Sequence, residues 1–80
     1  MNKSEIELEL KALEAMLEFG APYTNKEQVD EIIEAIAAYL RRRISTDRSW
    51  KKYSYRVEFD EDRPRIRIMQ SQNSKGEVYI

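Results

Sequence analysis

From Tyr53 to Ile68 the chain alternates. Tyr53, Tyr55, Val57 and Phe59 are separated by Ser54, Arg56, Glu58 and Asp60, and Ile66 and Ile68 keep the rhythm between Arg65 and Arg67. Successive side chains of a strand point to opposite faces, so this alternation is that of a half-buried strand. The two runs predict an antiparallel hairpin with Glu61-Asp62-Arg63-Pro64 as its loop. In that register Asp60 faces Arg65, Phe59 faces Ile66, Glu58 faces Arg67 and Val57 faces Ile68. One face is then apolar and the other pairs acid with base, both of which stabilise a ladder.

Upstream the rhythm becomes helical. Ile6, Leu10, Leu13 and Leu17 form one stripe, and Val29, Ile33, Ile36 and Leu40 form another. Ser4 with Glu7, and Thr24 with Glu27, have the spacing of capping boxes. Helices are expected over about 4–19 and 25–43, joined through Gly20-Ala21-Pro22-Tyr23, with Gly20 ending the first in a left-handed conformation. The linker 44–50 leads to strands at about 52–60, 65–72 and 77–80, with Asn73-Ser74-Lys75-Gly76 as the second turn. The fold class is therefore α+β in two layers: an antiparallel helical hairpin packed on one face of a three-stranded antiparallel sheet (α-α-β-β-β).

Composition adds limits. At 80 residues the chain is one small domain, spanning 1–80, and its 41% apolar content suffices for a core. A domain of this size buries only about 60–65% of its unfolded surface, so it gains much from self-association. There is no cysteine, and hence no disulfide framework or thiol chemistry. The segment Met1 to Glu7 lacks the apolar centre of a signal peptide, and no apolar run reaches bilayer length, which points to the cytoplasm. Net charge is −1, but residues 1–40 carry three lysines against nine acids, and residues 41–80 carry eleven basic residues against six. A molecule so divided is electrically two-ended, a property that bears on its partners.

Two stretches stand out as contact surfaces. Leu8, Ala12, Ala15 and Phe19 make a second apolar stripe on the first helix, nearly opposite the core stripe, with Met16 beside it. Either the helix is central and both stripes are covered, or the second stripe is a contact for another copy or a protein partner. The other stretch is basic: Arg41, Arg42, Arg43, Arg48, Lys51, Lys52 and Arg56 stand against Asp47 alone, with Trp50, Tyr53 and Tyr55 interleaved. Arg65 and Arg67 extend it across the sheet face. Cations neutralise phosphates and aromatics stack on unpaired bases, so this segment suits nucleic acid, and it equally suits an acidic protein surface. The plainer account is that arginines near a helix C-terminus offset its dipole while the tyrosines face the core. A third candidate is the strand Glu77-Val78-Tyr79-Ile80, whose free edge can pair with a second copy or simply be a blunted edge.

Catalytic chemistry is poorly supplied. The chain has no His, no Cys and no glycine-rich phosphate loop, so the commonest base and the best nucleophile are missing. Asp60-Glu61-Asp62 lacks the spacing of a calcium loop and serves as a solvated turn, so neither a metal nor a cofactor is expected. The pattern as a whole suggests a non-enzymatic protein-binding module, a regulator, an inhibitor or a homodimer. A nucleic-acid-binding domain is the alternative.

Overall fold

A computed structural model describes residues 2–70. It is an α+β structure of two helices and a two-stranded antiparallel sheet, in the order α1 (Lys3–Leu17), a 3₁₀ turn (Glu18–Gly20), α2 (Lys26–Thr46), a second 3₁₀ turn (Arg48–Lys52), β1 (Tyr53–Asp60) and β2 (Arg63–Gln70). The expected third strand at 77–80 and its turn lie outside the described residues.

Both helices start on asparagine, and not on the Ser4 and Thr24 boxes expected from sequence. The Asn2 side chain accepts the Glu5 amide at 2.9 Å while the Glu5 carboxylate accepts the Asn2 amide at 3.0 Å, a reciprocal box displaced by two residues. The Asn25 side chain accepts the Glu27 amide at 2.7 Å. Gly20 does not adopt the left-handed conformation; α1 instead tightens into the first 3₁₀ turn. Glycine is needed there for space, because a Cβ on Gly20 would stand 2.6 Å from the Tyr23 hydroxyl, which donates to the Leu17 carbonyl. The Tyr23 amide in turn donates to the Asp62 carbonyl at 2.8 Å, tying the helix connector to the hairpin turn.

The hairpin keeps its expected faces in a different register. Asp60 faces Arg63, Phe59 faces Pro64, Glu58 faces Arg65, Val57 faces Ile66 and Tyr55 faces Ile68. The loop is only Glu61-Asp62, with φ of 55° and 65°. Positive φ at both central residues makes this a mirror-image turn, whose twist matches that of the strands. Counted from a two-residue turn, Phe59–Pro64 is a pair without ladder hydrogen bonds, so the missing proline N–H costs nothing. The same parity turns the Ile66 amide outward, and there the Glu14 carboxylate of α1 accepts it.

The core is small and drawn from both helices, the second 3₁₀ turn and both strands. Ile6, Leu10, Ile36, Trp50 and Ile66 are buried, with Leu13, Leu17, Ile32, Tyr39, Leu40, Ile44, Tyr53, Tyr55, Val57 and Ile68 packed around them. The whole expected stripe of α1 is included. On α2 the inward face is rotated by about one residue: Ile32 packs inward and Ile33 is exposed. The layers also differ from a helical pair lying evenly on a sheet, since α1 packs along β2 whereas α2 packs back on the second 3₁₀ turn.

Glu61 does not suit its backbone, because left-handed φ costs an L-residue about 1–2 kcal/mol, and Asp62 tolerates it less well than glycine would. Replacing both, Glu61→Asn with Asp62→Gly, is expected to raise stability by about 1 kcal/mol or more in chemical denaturation. Unchanged or lower stability would argue against the two-residue turn.

Candidate functional site

The α1 carboxylates reach into the second half of the chain. Glu9 forms an ion pair with Arg43, 2.7 Å from its Nε, accepts an N–H from the terminal Nη2 of the same guanidinium at 3.2 Å, and accepts the Tyr39 hydroxyl. Glu14 takes the Ile66 amide. Glu18 accepts Arg65 at 2.9 Å and stands 4.0 Å from Arg63. Sequence reasoning missed these three acids as a set. The available signal was the charge division itself, because an acidic half and a basic half can pair within one molecule.

The basic segment is thereby split. Arg43 is engaged by Glu9, and its guanidinium lies 4.8 Å from the centre of the Trp50 ring, a cation–π contact. Arg67 donates to Glu58 at 2.9 Å and Arg56 lies 3.4 Å from the same carboxylate. Glu58 thus meets Arg67 on the diagonal, whereas its directly facing residue Arg65 turns to Glu18. Those two guanidinium contacts, Arg67 first, hold the Glu58 carboxyl below its ordinary range. Trp50 is fully buried and so cannot stack on a base. It stands against Tyr55 with ring centres 5.8 Å apart, and the Tyr55 hydroxyl donates to the Trp50 carbonyl at 2.6 Å. Tyr53 and Tyr55 both pack on the core.

Arg41, Arg42, Arg48, Lys51 and Lys52 are exposed, and no carboxylate among the described residues lies within ion-pair distance of them. Arg41, Arg48 and Lys51 share a cleft of about 450 Å³ with Ile44 and Ser45. Arg42 and Lys52 lie outside that lining. A second cleft of about 300 Å³ follows the seam of α1 and β2, lined by Glu7, Leu10, Lys11, Ile66, Arg67 and Ile68.

The second stripe of α1 is uncovered. Leu8 is 68% exposed, Met16 66% and Phe19 92%, with Ala12 and Ala15 exposed between them. Phe19 sits in the first 3₁₀ turn, which carries the stripe past the end of α1. Among the described residues no group of acids is placed to hold a metal ion, and no helix is long and apolar enough to cross a membrane.

The partly buried tyrosines report on this packing. Burial, and then the hydrogen bond to Glu9, push the Tyr39 phenol up to about 12, and burial does the same for Tyr55. An unfolded chain loses these protons near the ordinary 10.0, so the folded state keeps them longer. The associated stability is complete below pH 10 and is lost as pH rises toward about 12. Tyrosinate absorbance should show late titration at Tyr39 and Tyr55, the former removed by Tyr39→Phe; titration of both near the ordinary value would contradict this burial. Glu14→Ala strips the Ile66 amide of its acceptor, and denaturation should show a loss of about 1–3 kcal/mol. Glu14→Gln, which keeps an acceptor oxygen, should recover part of it.

No protein-family model matches this chain, and no curated protein or solved structure is significantly similar to it.

Proposed function

We propose that the protein is a non-enzymatic binding module whose main contact surface is the outer stripe of α1, and that the stripe pairs with a second copy of the chain. One observation carries the reading: Leu8 and Met16 of α1, and Phe19 of the turn that ends it, stand in solvent although the other side of the helix is already packed. Exposed apolar groups arranged in one row mark contact surfaces, whereas scattered ones do not.

The row is also self-complementary. Leu8 precedes Ala12 by the same interval at which Ala15 precedes Phe19. A two-fold axis between Ala12 and Ala15 therefore sets Leu8 of one copy against Phe19 of the other, and Ala12 against the other copy's Ala15. Small residues at the axis let the helices approach closely, while the large ones close the ends. Complete burial of Leu, Met and Phe contributes about 1.5–3 kcal/mol each. Association costs about 4–15 kcal/mol, a similar magnitude to the sum over both copies, so the expected dimer is weak and concentration-dependent.

Sedimentation over a range of concentrations tests this. The wild type should shift reversibly toward dimer as it is concentrated, and added salt should not weaken the dimer. Leu8→Glu with Phe19→Glu should stay monomeric with an unaltered circular dichroism spectrum. A wild type that remains monomeric throughout would contradict self-pairing and leave the stripe to a different protein, for which a regulator or inhibitor role is the natural form.

A further inference from the structure

Three cations line one cleft at the end of α2. Arg41, Ile44 and Ser45 share a face of its last turns, Asp47 is extended and ends the helix, and Arg48 and Lys51 stand one turn apart in the 3₁₀ turn that follows. Together the three cations, with Ile44 and Ser45, line a cleft of about 450 Å³. Their neighbours Arg43, Arg56, Arg65 and Arg67 all have carboxylate partners; these three have none among the described residues.

We infer that this cleft binds a compact phosphate-bearing small molecule, a site independent of the pairing through α1. Three cations lining one cleft repel one another until an anion enters, and a phosphate matches them better than a carboxylate. It carries up to two charges and presents three terminal oxygens in tetrahedral array, one for each cation, whereas a carboxylate offers two in a plane. The cleft volume suits a small ligand. A polynucleotide fits less well, because Trp50 is buried, Tyr53 and Tyr55 face the core, and the arginines that would prolong the track are held by Glu58 and Glu18.

The test uses the intact chain with pyrophosphate as probe, at constant ionic strength, followed by amide nuclear magnetic resonance. Saturable shifts are expected at Ile44, Ser45, Arg48 and Lys51. Arg48→Gln and Lys51→Gln should each weaken binding about tenfold, the equivalent of one charge-assisted hydrogen bond. Thermal unfolding gives a second readout: without ligand each variant should be no less stable than wild type, and pyrophosphate should raise the melting temperature of wild type far more than theirs. Three results would overturn the inference. Shifts that grow linearly and are reproduced by sodium chloride would mean screening alone. Variants less stable without ligand, and unchanged in binding, would mean that the cations serve only the end of α2. A random single-stranded oligonucleotide that binds more tightly than pyrophosphate, with added shifts at Arg56 and Arg67, would replace the small ligand with a nucleic-acid backbone.

Discussion

Burial of Trp50 is the contact on which the other elements depend. A two-stranded hairpin is marginal in water, and a helix needs a surface to cover. The tryptophan comes from the short turn just before β1, and meets Ile6 and Leu10 of α1, Ile36 of α2 and Ile66 of β2 in one cluster. Arg43 closes over its ring from α2, and Tyr55 closes against it from β1. Asp47 caps the turn that presents it, accepting the Ser49 hydroxyl at 2.6 Å and the Ser49 amide at 3.0 Å, which keeps the aspartate carboxyl below its ordinary range. Removing a buried Trp side chain typically costs about 3–5 kcal/mol, against about 5–15 kcal/mol for a whole domain. The tertiary arrangement thus rests on one aromatic group to an unusual degree.

So small a core has consequences for the surface. The described core draws one stripe from α1 and leaves the opposite stripe in solvent. It also needs polar seams around it. Glu9, Glu14 and Glu18 lie beside the packed stripe of α1 and each reaches across to the second half of the chain. Glu9 and Glu18 take Arg43, Arg63 and Arg65, so a part of the charge division between the halves is consumed inside the molecule. What survives outside is narrower than composition suggests: an apolar row on α1, and the cations at the end of α2 and in the turn beyond it that have no carboxylate partner among the described residues.

The parts of this that were legible in the sequence are those fixed by periodicity. Alternation in β1 and β2 identified the faces of the hairpin but not its register, because a two-residue slip leaves every side chain on its own face. The turn decided the register, through positive φ at Glu61 and Asp62, residues that carry little turn signal. On α2 the adjacent Ile32 and Ile33 both fit a helical period, and only packing chose the first. Asn2 and Asn25 capped the helices because each stood one residue before a helix that began earlier than the Ser4 box, or later than the Thr24 box, required. A stacking role for Trp50, as the nucleic-acid alternative requires, needs its ring at the surface, whereas the ring fills the core and its sequence neighbours Arg48, Lys51 and Lys52 face water. The second stripe of α1 was visible from spacing alone; whether anything in the chain covered it was not, since that depends on where α2 packs.

α1 is packed by its own chain on one side, and the proposed pairing covers the other. The direct measurement is an isotope-filtered nuclear Overhauser experiment on an equal mixture of labelled and unlabelled chains. Contacts between Leu8 methyls of one molecule and the Phe19 ring of another are the predicted result. A Phe19 ring that sees only methyl groups of its own chain would contradict it.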